Sequence, residues 1–148
     1  MRQLIKFSLF DAGNSVFPML VLSALTSSYF VNHIVADEQL GTALWQLTIG
    51  IAGIFIAFSM PYIGNMADNM INGRLKLLRL STFLCILFVG CFYFILPNQE
   101  YVLTALVILF LGSVTYEASN SLYNSIMKNC ATNNLTLSSG IGFGTGFL

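Results

Sequence analysis

Residues 10–17 read FDAGNSVF and residues 116–123 read YEASNSLY, so the two stretches share one order of residue types. Each runs aromatic, acidic, alanine, small, asparagine, serine, aliphatic, aromatic, and each lies in a long apolar run. Helix positions i, i+3, i+4 and i+7 share one face. The first stripe comprises Asp11, Asn14, Ser15 and Pro18, and the second comprises Glu117, Asn120, Ser121 and Asn124. Because acids and amides facing lipid are costly, the stretches predict a membrane helix bundle whose two stripes face each other across its interior.

The composition indicates an integral membrane protein. The chain has 148 residues, of which 56% are hydrophobic and only 8% charged, and its mean hydropathy is +0.78. A soluble domain carries about a quarter charged residues, so this chain lacks the polar surface to face water all round. The net charge of zero indicates no nucleic-acid partner. Cys85, Cys91 and Cys130 have the spacing of neither a disulfide framework nor a metal site.

Apolar runs place membrane spans at about residues 12–34, 43–63, 77–96 and 101–126, with a shorter segment at 137–148. A spanning helix needs about 20 apolar residues, so the last segment is too short to cross. We therefore predict an all-α polytopic bundle of four transmembrane helices plus the start of a fifth. The chain is expected to be the amino-terminal part of a longer protein. Small residues in the second span are expected to let another helix approach closely; they are Gly50, Gly53 and Ala57.

The charges predict the orientation of the spans. With four spans, the basic residues fall on one side; they are Arg2, Lys6, Arg74, Lys76, Arg79 and Lys128. The acidic residues of the connections on the other side are Asp37, Glu38 and Glu100. Because cytoplasmic loops are rich in Lys and Arg, we predict a cell-membrane protein with a cytoplasmic amino terminus. An aromatic belt is expected at the outer interface, formed by Tyr29, Phe30, Trp45, Tyr93, Phe94 and Tyr101.

Three segments resemble one family of transporters. Residues 10–15, FDAGNS, are similar to a Tyr-Asp-Trp-Ala-Asn-Ser start, and residues 123–125, YNS, to a Tyr-Asn-Ala at the end of span four. Residues 139–148, SGIGFGTGFL, are similar to a Ser-Gly-x-Gly-Trp-Ala-x-Gly-Tyr-Leu opening of span five. These are features of the vacuole-effluxer-like (autophagy-related amino-acid effluxer) family of the major facilitator superfamily. The resemblance covers the first five of that superfamily's twelve helices.

The predicted loop at residues 64–76 resembles the superfamily at large. Gly64, Asp68, Gly73 and Arg74 look like the Gly-x-x-x-Asp-Arg-x-Gly-Arg signature between spans two and three, although Asn69 replaces the first basic residue. The resemblance implies that these four residues form a conformational loop. The loop's residues on their own also allow a solvated basic connection in which Arg74 pairs with Asp68 or with lipid phosphate.

The resemblance implies transport of a small polar solute such as an amino acid. Asp11, Asn14, Ser15, Glu117, Asn120 and Asn124 would then line its path or carry protons, since intramembrane acids often serve proton relays. The alternatives are that Asp11 caps a helix in the headgroup zone and that Glu117 pairs with a cation. The missing helices, the bilayer and the solute are the expected partners. We predict no transport by this chain alone.

Other functions find little support in the sequence. The chain has one histidine, His33, and no Gly-x-Ser-x-Gly or His-Glu-x-x-His motif, so we predict neither an enzyme, nor a metal site, nor a cofactor. A small multispan protein with an assembly or regulatory role remains the competing hypothesis to transport.

Overall fold

A computed structural model of the protein describes residues 13–14, 17–35 and 37–130, with the backbone alone for Ser23 and residues 127–130. The predictions for Asp11, Ser15 and the apolar segment at 137–148 lie outside the described residues.

Four helices account for nearly all of the described chain. Helix α1, Phe17–Val35, is π-helical over Phe17–Ala24 and Phe30–Val35 and α-helical between them. Helix α2 is Glu38–Asp68, α3 is Gly73–Cys91 with a 3₁₀ turn at Phe92–Phe94, and α4 is Val102–Cys130 after a 3₁₀ turn at Gln99–Tyr101. The described ranges contain no strand. Each helical segment is long and apolar enough to cross a membrane, which confirms the all-α membrane bundle.

Helix α2 is longer than its apolar core predicts. It begins after Asp37, whose carboxylate accepts a hydrogen bond from the backbone N–H of Leu40 at 3.0 Å, and an acidic side chain at this position caps a helix. It spans 31 residues, which is about 46 Å and exceeds the hydrocarbon thickness of about 30 Å. The connection before α2 is shorter than predicted, because His33 belongs to the last turns of α1.

The predicted loop at residues 64–76 is wrong in extent. Gly64 and Asp68 belong to the last turns of α2, and Gly73 and Arg74 begin α3, so the turn itself comprises residues 69–72. Asn65 and Asp68 are exposed, so their polar side chains can continue the helix past the apolar run without being buried.

Helix α4 is the centre of the bundle. About 39% of its most apolar window is buried inside the protein, compared with 11% in both α2 and α3. Helix α3 packs along it most extensively and α2 next. Buried residues recur every three or four positions along one side of α4, as helix geometry requires; they include Ala105, Leu109, Gly112, Tyr116, Ser119 and Tyr123.

The two ends of the bundle carry opposite charges. We call the end with Asp37, Glu38 and Glu100 the acidic end, and the end with Arg74, Lys76 and Arg79 the basic end. At the acidic end the Tyr29 hydroxyl donates a hydrogen bond to the Ile95 carbonyl oxygen at 3.1 Å. This contact brings the end of α1 beside the connection that follows α3.

Large aromatic residues close the acidic end from within. Phe30 and Trp45 are almost fully buried, with ring centroids 5.2 Å apart, and Trp45 Nε1 donates a hydrogen bond to the Leu22 carbonyl oxygen at 3.1 Å. The prediction that these two residues belong to an interfacial belt is therefore wrong, because their helices turn them toward each other. Tyr93 and Phe94 are exposed, as a belt requires.

Among the described helices, none approaches the small-residue surface predicted on α2. A Cβ atom added at Gly50 or Gly53 would meet nothing within 4 Å, and Ala57 is exposed. The close helix approach occurs instead at buried Gly41, where an added Cβ would lie 3.1 Å from the Cα of Val31 in α1. Composition alone identified small residues but not the side of the helix that meets a neighbour.

Candidate functional site

Helix α4 carries a polar face inside its membrane span. We call Glu117, Asn120 and Asn124 the α4 polar face. Glu117 and Asn124 are exposed and Asn120 is half-buried, and their spacing places them on one side of the helix. Glu117 lies about 14 Å from Ile126, the end of the span, at a helical rise of about 1.5 Å per residue. A carboxylate and two amides therefore share one exposed surface within the membrane-spanning part of the protein.

Helices α2 and α4 leave this surface open. They run in the same direction, and Phe55 of α2 meets Phe110 of α4 with ring centroids 5.7 Å apart. Nearer the basic end, Ala67 and Leu122 share an apolar cluster. The same offset between the helices places Glu117 level with Tyr62, which is 79% exposed. Glu117 is itself exposed, so the described helices leave this side of α4 uncovered at that level.

Glu117 has no described cation to neutralise it. The ion pair found among the described residues joins Asp68 and Arg74 near the basic end, and the other described basic residues lie on α3 or at the end of α4. The alternative in which Glu117 pairs with a basic residue thus has no support among the side chains that the structure describes. Its carboxylate is available to a solute, to water or to a group from another helix.

Asn14 is the one polar residue of the first stripe that the structure describes, and it lines a cavity with Ser119 rather than with the α4 polar face. The last residue of the first stretch, Phe17, stacks on the first residue of the second, Tyr116, with centroids 4.5 Å apart and an interplanar angle of 16°. Antiparallel packing of α1 on α4 then brings Asn14 beside Ser119, about 160° around α4 from Glu117. The aromatic positions at the ends of the stretches could have suggested this contact, which the emphasis on acids and amides missed.

Asn14 instead borders a cavity of about 400 Å³ between α1, α3 and α4. Its walls are mainly apolar, and two of its polar residues already use their protons locally. Thr82 donates a hydrogen bond to the Leu78 carbonyl oxygen and Ser119 to that of Tyr116, each at 2.8 Å. The cavity thus has few free donors for a polar solute, and the α4 polar face is the stronger candidate site.

The turn between α2 and α3 unites the residues of the predicted conformational loop. Arg74 Nε lies 2.8 Å from Asp68 Oδ1, so the structure contains the ion pair that the sequence allowed. Asn72 has a left-handed backbone with φ 55°, a conformation that asparagine tolerates better than most residues. The turn therefore joins the two helices by a local ion pair and a tight backbone reversal.

The two glycines of this turn have different surroundings. A Cβ at Gly73 would overlap the Ala67 carbonyl oxygen and lie 2.8 Å from the Met70 Cβ, whereas one at Gly64 would meet nothing within 4 Å. The close approach of α2 and α3 requires glycine at position 73 alone. Sequence spacing suggested both residues and could not distinguish them.

The described part of the chain contains no candidate metal site. No group of three His, Cys, Asp or Glu side chains converges there, and Cys85 and Cys91 are free thiols.

Comparison with protein-family models, with curated proteins and with solved structures finds no match to this chain.

Proposed function

We propose that the chain forms part of a facilitator-type secondary transporter whose α4 polar face lines the path of a small polar solute, such as an amino acid. The exposure of Glu117 within a membrane span carries this proposal. A charged residue at the centre of a spanning helix costs about 3 kcal/mol when it faces lipid. Water or protein must therefore cover the α4 polar face, and a solute path provides the water.

The chemistry of the face suits a polar solute. The amides of Asn120 and Asn124 each offer both donors and an acceptor, so they can bind uncharged polar groups. The carboxylate of Glu117 can bind and release a proton as the path opens to either side, which would couple movement of the solute to a proton gradient. Further transmembrane helices would complete the path, and the described helices alone would not enclose it.

The proposed orientation places the basic end of the bundle in the cytoplasm of a cell and the acidic end outside. The separation of Arg74, Lys76 and Arg79 from Asp37, Glu38 and Glu100 supports this orientation, since cytoplasmic loops retain basic residues.

Thiol labelling tests whether water reaches the α4 polar face. In a variant whose native cysteines are replaced by alanine, Glu117→Cys and Asn120→Cys should react with a membrane-impermeant thiol reagent. Val107→Cys is the matched control, because Val107 is exposed on the same helix and lies about 12 Å from the other end of the span. It should remain unlabelled. Protection of all three positions would contradict a water-filled path and favour the assembly or regulatory role.

A flux measurement tests the proton coupling. In liposomes containing the transporter with all its helices, Glu117→Gln should abolish uptake driven by a pH gradient, and Glu117→Asp should retain part of it. Counterflow exchange of solute without a gradient provides the control for folding. Unchanged pH-driven uptake in Glu117→Gln would reject the proton role, and saturable flux by the present chain alone would show that no further helices are needed.

A further inference from the structure

Helix α3 exposes two cations directly beside an apolar stripe. Lys76 and Arg79 lie one turn apart near the start of the helix, and both are exposed. The same side of the helix continues with Leu80, Phe83 and Leu87, which are 53%, 63% and 45% exposed. Helical spacing keeps these five residues within one sector of the surface. We call this surface the α3 outer face.

The two cations lack acidic partners in the described chain. The nearby carboxylate of Asp68 is held by Arg74 at 2.8 Å, and neither Lys76 nor Arg79 takes part in an ion pair among the residues described. Arg79 lies about 9 Å along α3 from Gly73. With α3 in a bilayer, the long stem of Arg79 can carry its guanidinium back toward the headgroups.

We propose that the α3 outer face binds an anionic phospholipid. The lipid phosphate would lie between Lys76 and Arg79, and its acyl chains would lie along Leu80, Phe83 and Leu87. Phosphate is the abundant anion of the headgroup region, and a guanidinium can bind two of its oxygens at once. Basic groups next to a membrane span attract anionic lipids.

The apolar part of the face selects a lipid over a soluble phosphate. A free phosphate would contact the two cations and leave the stripe from Leu80 to Leu87 without a role in binding. That stripe extends about 10 Å along the helix, which matches a large part of one leaflet of the hydrocarbon core. The phosphate and the acyl chains of a phospholipid would therefore each contact a complementary part of the α3 outer face.

Native mass spectrometry of the detergent-solubilised chain tests the proposal. Phosphatidylglycerol and phosphatidylcholine with identical acyl chains are titrated separately, and the dissociation constant of the first bound lipid is measured. The wild type should bind phosphatidylglycerol more tightly, and each of Lys76→Gln and Arg79→Gln should weaken that binding about five-fold. The double variant should bind the two lipids equally. Lys128→Gln is the control for charge, since it removes one cation from another helix at the same end, and it should retain the preference.

Three outcomes would overturn the proposal. A full preference for phosphatidylglycerol in the double variant would place the site elsewhere. A loss of preference in Lys128→Gln as large as that in Arg79→Gln would indicate attraction by net charge alone. Displacement of the lipid by glycerol 3-phosphate at millimolar concentration would show an anion site without a lipid component. A thermal unfolding measurement on each variant confirms that it is folded, so that loss of binding is not loss of structure.

Discussion

The acidic and basic ends of the bundle are built in different ways. At the acidic end, Phe30, Trp45 and Leu109 are almost fully buried, and hydrogen bonds from Trp45 and Tyr29 cross between helical segments. At the basic end, a smaller cluster around Ala67 and Leu122 holds the helices together, and the α4 polar face remains open between this end and the middle of the bundle.

The difference predicts that the stability of the bundle and the proposed transport depend on different parts of it. Large aromatic side chains contribute most to the free energy of folding where they are fully buried. The acidic end should therefore contribute most to the stability of the bundle. The open part of α4 has fewer neighbours and displays its charged and amide side chains. Substitutions should therefore cost stability at the acidic end and in the tight turn, and activity on the α4 polar face.

The largest loss of stability is expected from Trp45→Ala. It removes a buried ring and leaves the Leu22 carbonyl without its donor, which should lower the free energy of unfolding by about 3 kcal/mol. Unfolding by sodium dodecyl sulfate in mixed micelles measures the change. Tyr93→Ala is the control, because Tyr93 is 89% exposed and should have little effect. Equal losses from both would contradict a closed aromatic cluster at the acidic end.

A smaller loss is expected from Gly73→Ala, together with a gain from Gly64→Ala. The added methyl at position 73 overlaps backbone of α2 and should cost about 2 kcal/mol. At position 64 it enters open space on a helix, where alanine is favoured over glycine by up to about 1 kcal/mol. The same unfolding assay compares the two variants. Effects of the same sign would show that α2 and α3 do not meet closely at Gly73.

Tyr29→Phe tests the hydrogen bond that joins α1 to the segment after α3. Loss of the hydroxyl should lower the free energy of unfolding by about 1 kcal/mol, because the part-buried Ile95 carbonyl loses its donor. Tyr93→Phe removes a hydroxyl from an exposed ring and should leave stability unchanged. If both variants unfold alike, the contact at the acidic end contributes nothing measurable.

The smallest change in stability is expected from Glu117→Gln. Its side chain is exposed and has no described ion-pair partner, so the free energy of unfolding should change by less than about 0.5 kcal/mol. The same variant is expected to lose proton-driven flux, which separates this residue from those of the acidic end. A loss above about 1 kcal/mol would indicate that Glu117 is a structural residue.

Periodicity and hydropathy predicted the number of spans, and capping and packing changed their limits. The second span was predicted at 43–63 and extends over Glu38–Asp68, because Asp37 caps it and polar residues continue it beyond the apolar core. The third and fourth spans, predicted at 77–96 and 101–126, correspond to Gly73–Phe94 and Gln99–Ile126. Polar residues at helix ends have no hydropathy signal that distinguishes a last turn from a loop.

The candidate site was only partly predictable. Helical spacing placed Glu117, Asn120 and Asn124 on one face correctly, because it depends on the geometry of a single helix. It did not reveal that Asn14 lies on the other side of α4, since that depends on how α1 rotates when Phe17 stacks on Tyr116. Gly64 and Gly73 likewise differ only in what the neighbouring helix places against them.

The amino-acid sequence by itself determined that this protein is a set of apolar helices in a membrane, with its charges divided between two ends. Those properties follow from the transfer of side chains and backbone between water and lipid, which acts on each segment separately. The tertiary structure decided which aromatic residues are core, which glycine is indispensable and which polar face stays open. Each of these depends on the rotation and offset of one helix against another, and side-chain packing across the interface sets both.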